Sequence, residues 1–324
     1  MSTAGSKSLP ATSRALVFKS VGQPLAVDTV QTPTPVAGSG VVRTIASTAE
    51  SSISQFISGG VPGLQLPTPF VLGAGAVARV ATTGVDTTDL QVGQLVFLNS
   101  FIRGRDNGDV SFLNEDVWRN GTTLEYVLTP LENCYSLNEK ALLGSSANGG
   151  LGYTTLDLCL LRRHLIAYGG LRGIDLKAGE TVIIAPATGA YSGAAVEVAS
   201  AMGAKVIALG RNFSSLKKLA AATLRVNIVH LQGNPEDDLA NIQKFGPVDV
   251  FLDISPPAAN ETTHIRACFQ AVKPHGRVSL MGINHKDIAI PYFVAMIKNL
   301  TIRGQYMYER DDVRGLINLW RLGC

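Results

Sequence analysis

Between residues 179 and 212 the pattern of apolar and polar positions changes period twice. Thr181 to Ala185 is an unbroken β-branched and apolar run, and a turn of small residues follows it. About twelve residues of helix formers come next, with Ala195, Val198, Ala199 and Met202 at helical spacing. Gly203 stands where a helix C-cap would, and Lys205 to Leu209 is a second apolar run ending at Gly210 and Arg211. That order predicts two parallel strands joined by a helical crossover, the unit of a doubly wound α/β sheet. Further strands are predicted at Val226 to Leu231, Val248 to Asp253, Arg277 to Met281 and Leu300 to Gly304, separated by helical stretches. The count fits a six-stranded sheet.

Upstream the periods are shorter. From Arg14 to about Leu137 the apolar runs are β-like: Ala15 to Lys19, Leu25 to Val30, Val41 to Ile45, Val71 to Val80, Leu95 to Asn99 and Leu124 to Leu128. Pro33-Thr34-Pro35, Gly38-Ser39-Gly40 and Gly59-Gly60 punctuate them. A run of strands ahead of an alternating α/β half predicts a separate all-β domain. Residues 147 to 176 read as helical and bridge the halves. The expected division is a loose tail over 1–13, a β domain over 14–165, a nucleotide-binding domain over 166–310 and a last segment over 311–324.

Composition narrows the class. Apolar residues are 46% of the chain and charged ones 16%, which suits buried parallel strands and excludes a disordered chain. A net charge of +3 is too small to imply a polyanion partner, so nucleic acid is not expected. Cys134, Cys159, Cys268 and Cys324 have neither metal-ligand nor disulfide-framework spacing, and a reducing, cytoplasmic setting is the expectation. Residues 1 to 13 lack the apolar core of a signal peptide. The most apolar stretch, 181 to 210, is broken by Pro186, glycines, Glu197 and Lys205, so it reads as buried strands and helix and no membrane partner is expected.

The turn in the first strand–helix unit carries chemistry. In Ala187-Thr188-Gly189-Ala190-Tyr191-Ser192-Gly193 the dinucleotide fingerprint G-x-G-x-x-G has become A-x-G-x-x-S. Gly189 keeps the place where backbone must approach a pyrophosphate, and alanine and serine are small enough for the flanking places. Backbone N–H groups and the helix N-terminus would face the phosphates. An NAD site puts a carboxylate at the end of the second strand to accept from the ribose 2′-OH. Here Gly210 stands there, followed by Arg211 and Asn212, and a guanidinium suits a 2′-phosphate. The cofactor reading is therefore NADP(H). Because ligands lie beyond the carboxyl ends of such strands, Ser255 and Pro256, and Met281 and Gly282, are placed near the nicotinamide half.

Three phrases, Leu90-Gln91-Val92-Gly93-Gln94-Leu95-Val96-Phe97, Leu176-Lys177-Ala178-Gly179-Glu180-Thr181-Val182 and Gly276-Arg277-Val278-Ser279-Leu280-Met281-Gly282, together with the order of parts, resemble the medium-chain dehydrogenase/reductase superfamily. The resemblance covers nearly the whole chain from Arg14. It implies a GroES-like β domain followed by a Rossmann domain, with a small-molecule substrate in the cleft between them and hydride transfer to or from a nicotinamide. It also implies that the chain normally continues beyond Cys324, and that the edge strand Leu300 to Gly304 pairs two copies into a homodimer.

Zinc-dependent members hold the metal through a Cys after the third strand, the His of a Gly-His-Glu phrase and a later Cys or acid. Those positions are Glu50, then Gly73-Ala74-Gly75, then a place near Arg162, and one carboxylate cannot hold zinc by itself. A four-cysteine structural zinc loop is absent from residues 99 to 123. This resembles the zinc-independent quinone and enoyl reductase branch. Cys159 and His164, five apart on an expected helix, do not share a face well. The family's proton-relay hydroxyl maps onto Ser52, although Ser51 and Ser52 equally suit the cap of a helix over Ile53 to Ser58. Tyr168 matches a tyrosine common in the family, and by that resemblance it is the second catalytic candidate after Ser52. Three functions follow: an NADPH-dependent, zinc-independent reductase of an activated C=C or C=O, an alcohol dehydrogenase-like enzyme, or an NADP(H)-binding paralogue without turnover.

Overall fold

The computed structural model describes residues 8–50, 53–59, 68–104, 110–113, 118, 120–256, 259, 263–284 and 286–323. The chain divides into two compact units between Arg162 and Arg163.

The first unit is β-rich. Its strands are β1 (Thr12–Phe18), β2 (Ala26–Gln31), β3 (Ser39–Ser47), β4 (Phe70–Val71), β5 (Gly75–Thr83), β6 (Leu95–Asn99), β7 (Phe101–Arg103), β8 (Val110–Phe112), β9 (Tyr126–Pro130) and β10 (Cys134–Ser136). Its helical pieces are α1 (Ile53–Ile57), α2 (Glu139–Leu143) and α3 (Thr155–Leu158). Antiparallel pairing gives a five-stranded sheet β10-β6-β5-β3-β9 and a three-stranded sheet β2-β1-β4. Alternate residues Val42, Ala76, Ala78, Val80, Val96, Leu98 and Val127 turn inward to make the core. The apolar run Val71 to Val80 is not one strand. Gly73, at φ +103°, turns the chain so that β4 joins β1 while β5 pairs with β3 and β6. A Cβ there would lie 2.4 Å from Thr122 Oγ1.

The second unit holds β11 (Thr181–Ala185), β12 (Lys205–Gly210), β13 (Val226–His230), β14 (Val248–Asp253), β15 (Val272–Leu280) and β16 (Thr301–Gly304). All six pair in parallel, in the order β13-β12-β11-β14-β15-β16. This is the expected doubly wound sheet. The chain works outward from β11 to β13, then crosses to β14, so the order reverses between β11 and β14 and a crevice opens at their carboxyl ends. The helices are α4 (Leu161–Gly173), which begins in the first unit, α5 (Ala190–Ala201), α6 (Phe213–Ala222), α7 (Pro235–Gln243), α8 (His264–Ala271), α9 (Tyr292–Ile297) and α10 (Arg310–Trp320). Ile183, Ile207, Phe251, Phe269 and Val278 are fully buried between sheet and helices, which is why the central strands read as continuous apolar runs.

Two boundaries differ from the sequence reading. Residues 147 to 176 are not one helix: Gly149 at φ +74° and Gly152 at φ +72° break it, Thr154 and Asp157 cap α3 reciprocally, and α4 starts afresh. The strand expected from Arg277 begins earlier, at Val272, and carries His275 at φ +60° in a bulge that shifts the register with β14. No helix among the described residues is long and apolar enough to cross a membrane.

Candidate functional site

The turn between β11 and α5 is tied to the sheet at its start, because Ala187 N–H donates to Leu209 O of β12 at 2.6 Å. Thr188, Gly189 and Ala190 then stand exposed. Gly189 is the N-cap of α5 at φ −86°, a conformation any residue adopts, so its value lies in the missing side chain. The nearest atom to a Cβ built there is Ser192 Oγ at 3.0 Å, on the protein side. Ser192 is buried and its hydroxyl accepts the Gly189 N–H at 2.9 Å, while Gly193 N–H closes the first helical bond to Gly189 O at 2.7 Å. The serine of the altered fingerprint thus caps the helix. The amides of Ala190 and Ser192 have no acceptor within α5, and the helix dipole adds partial positive charge at that end. Tyr191 lies half-buried beside them. A pyrophosphate fits such an N-terminus.

The end of β12 meets this turn. A Cβ on Gly210 would lie 3.0 Å from Thr188 Cγ2, so the two predicted stretches are brought together. Arg211 is exposed, and no acid among the described residues pairs with its guanidinium; its carbonyl accepts from His230 Nε2 at 2.9 Å. Asn212 does not offer its side chain outward: Oδ1 caps α6 by accepting Ser215 N–H at 3.0 Å. Phe213 stacks on His230 at 5.4 Å, and Lys217 Nζ lies 4.6 Å above the Phe213 ring. This leaves a basic and aromatic ledge beside the fingerprint.

The ends of β14 and β15 also join. Met281 N–H donates to Asp253 O at 2.8 Å and Ile283 N–H to Ser255 O at 2.9 Å. The Ser255 hydroxyl, however, is turned inward: it donates to Asp253 Oδ1 at 2.5 Å and accepts from His264 Nε2 at 3.1 Å, with all three residues buried. Gly282 serves this network, since a Cβ on it would lie 2.6 Å from Asp253 Oδ2. Met281 lays its sulfur against Gly170 of α4, where a Cβ would be 2.0 Å from Sδ. The sequence reading missed His264, which stands eleven residues after Asp253 and reaches it only through the fold.

Tyr168 is two residues before Gly170 on α4, a rotation of about 200°. Its hydroxyl accordingly faces α10, 2.6 Å from a Cβ built on Gly315, and not the Met281 loop. Burial pushes its phenol up from the usual tyrosine range, with Arg172 acting the other way. Ser52 and Ser51 lie outside the described residues.

The metal question turns on the first unit. Arg162 points its guanidinium at Glu50, with Nε 3.2 Å from Oε1 and the two side chains 7% and 18% exposed. Gly75 makes the room, because a Cβ there would lie 2.8 Å from Arg162 Cδ. Zinc does not fit this donor set: a cation occupies the place of one ligand, Ala74 that of another, and no three His, Cys, Asp or Glu converge among the described residues. Cys134 is buried and its thiol is pushed up to about 12, far from a thiolate ligand. Cys159 and His164 do not share a helix; Cys159 ends α3, while His164 Nε2 meets Glu197 Oε2 at 2.8 Å.

Residues 192–321 match the family model described as zinc-binding dehydrogenase. The chain is 24% identical over 314 residues to an alcohol dehydrogenase of Rhizobium meliloti, covering 93% of this chain and 86% of the relative. Among solved structures it superposes on AibC with a TM-score of 0.79 at 20% identity, covering 97% of this chain and 86% of that one. It superposes on a short chain alcohol dehydrogenase from E. coli, complexed with NADH, with a TM-score of 0.77 at 16% identity, covering 97% and 89% of the two chains.

Proposed function

We propose that the chain is a member of the medium-chain dehydrogenase/reductase superfamily, a reading supported by the family-model match over residues 192–321, and that it is an NADPH-dependent, zinc-independent reductase of an activated C=C or C=O in a small apolar substrate. The observation that carries the cofactor reading is Arg211, exposed and unpaired by any described acid, beyond a strand that ends in glycine where an NAD site needs a carboxylate. Thr188, Gly189, Ala190, Tyr191, Ser192 and Gly193 bind the pyrophosphate through backbone, Arg211 takes the 2′-phosphate, and Gly210 and Asn212 shape the approach. The loops of Ser255, Met281 and Gly282 hold the nicotinamide half by backbone and shape, with Asp253 and His264 fixing them from behind. When bound, the dinucleotide supplies the hydride. Ser52 is assigned the proton relay to the substrate, and Tyr168 a packing role.

The donor set around Arg162 supports the zinc-independent reading. An alcohol dehydrogenase-like activity is the second reading, favoured by what the relatives from Rhizobium meliloti and E. coli are named for. A spectrophotometric assay of NADPH oxidation with enones, quinones and aldehydes, against NAD(P)-dependent oxidation of alcohols, separates the two. Saturable NADPH binding without turnover of any acceptor would instead mark a non-catalytic NADP(H)-binding protein.

The protein is further assigned to the cytoplasm, where its thiols stay reduced. A homodimer is proposed through β16, the sheet edge, and the apolar side of α9, where Tyr292 is 79% and Phe293 64% exposed.

A further inference from the structure

Asp253, Ser255 and His264 form a buried polar network inside the second unit. The Ser255 hydroxyl has one proton and donates it to Asp253 Oδ1, so Ser255 Oγ must accept from His264, and Nε2 of that ring carries its proton. The same N–H leans toward Asp253 Oδ1, 3.4 Å away. The ring is carried by α8, whose Ile265, Cys268 and Phe269 are buried in the core, so its place is fixed. Apolar side chains would hold α8 to β14 equally well. Buried polar groups cost desolvation, and what a satisfied network adds is direction.

Direction matters because of what lies beyond Ser255. β14 ends at Asp253 and β15 at Leu280, yet the pairing runs on past both: Met281 N–H donates to Asp253 O and Ile283 N–H to Ser255 O. Gly282, between them, has Asp253 Oδ2, Asn284 Nδ2 and Ser255 N within 3.1 Å of the place of a Cβ. The two loops are therefore interlocked, and their tilt follows the Ser255 peptide, which its hydroxyl ties to Asp253 and, through His264, to α8. We infer that His264 is a positioning residue for the nicotinamide half of the cofactor. Through Ser255 and Asp253 it sets the height and tilt of the surface formed by residues 253–255 and 281–283. This rests on the dinucleotide reading above and deepens it. His264 is itself buried and out of ligand contact. It governs how well a bound ring is placed for transfer, and not how tightly the dinucleotide is held, because the pyrophosphate and adenine half are assigned to the ends of β11 and β12.

The test uses the full chain as wild type, His264→Leu, His264→Gln and Ser255→Ala. Hydrogen exchange at the Met281 and Ile283 amides is followed without cofactor. Affinity is measured for 2′,5′-ADP, which carries the adenine half alone, and the emission of bound NADPH is recorded beside steady-state kcat and KM. In His264→Leu, which keeps bulk but has no donor, exchange at both amides is expected to quicken by about tenfold or more. Most of the emission enhancement of bound NADPH should be lost, while the Kd for 2′,5′-ADP stays within about twofold. With an acceptor, kcat should fall by about tenfold or more and KM for NADPH should move less. His264→Gln, whose amide N–H can donate to Ser255, should keep emission and kcat near wild type. Unchanged exchange and emission in His264→Leu overturns the inference, as does a parallel loss of 2′,5′-ADP affinity or a His264→Gln no better than His264→Leu. If His264→Leu does not fold, unchanged exchange and emission in Ser255→Ala overturns it. The emission contrast among variants without turnover of any acceptor supports the positioning role and defeats the reductase reading; wild type that binds neither 2′,5′-ADP nor NADPH defeats both.

Discussion

Trp320 donates its indole Nε1–H to His164 Nδ1 at 3.1 Å, with the two rings 5.4 Å apart. Indole nitrogen only donates, so Nδ1 is the bare acceptor and the imidazole proton sits on Nε2, facing Glu197. One histidine therefore ties α10 to α4 and α5. Trp320→Phe keeps the ring but removes the donor, and should cost about 1–2 kcal/mol in urea denaturation. The coupling with His164→Leu in a double-mutant cycle should be about 1 kcal/mol; strict additivity would show that the bond contributes nothing.

The Asp249 carboxyl gives a pH signature. Burial would raise its pKa, but the Lys273 ammonium and the Thr181 amide, 2.8 Å away, outweigh this and hold it below the usual 3.8. A carboxyl with a lowered folded pKa adds stability that is full above 3.8 and is lost as pH falls through the folded value. Asp249→Asn should cost about 1–3 kcal/mol at pH 7, and its stability should converge on wild type in strong acid. Urea midpoints measured from pH 7 downward check this, and a constant offset would contradict it.

The β11–α5–β12 unit was legible because a strand period gives way to a helical one and back within a single stretch, and the count of six strands followed from repeating that pattern; their order came only with the structure. The break inside Val71 to Val80 was not, since both sides of Gly73 are apolar and only the left-handed turn separates two sheets. In the candidate site, the glycine turn and the strand end at Gly210 and Arg211 lie in one sequence motif, and the fold sets Gly210 against Thr188. The inward turn of Ser255 could not be read from sequence, because its partner His264 is supplied by the next helix. Likewise Arg162 reads from sequence as a misplaced cation; its burial against Glu50 depends on the room at Gly75.

Dimerisation through α9 and β16 predicts a two-copy species in sedimentation velocity at micromolar concentration. Phe293→Glu places a charge on the exposed apolar side of a helix none of whose residues is buried, and should shift the protein to monomer without changing its melting cooperativity. A wild-type monomer at that concentration would count against the assembly.

Tyr168→Phe separates packing from proton donation. With its hydroxyl against Gly315 on α10, removal of the oxygen should leave kcat within about threefold, whereas loss of a general acid costs on the order of a hundredfold or more. Steady-state rates across pH with the best acceptor decide it.

Fluorescence titration of the purified protein with NADPH and NADH decides whether the proposed dinucleotide site selects NADPH through Arg211. Saturable NADPH binding, weaker NADH binding and a loss of about ten- to a hundredfold in NADPH affinity in Arg211→Glu are expected, with NADH little changed. Equal affinity for the two cofactors, or NADPH affinity untouched by Arg211→Glu, would contradict it.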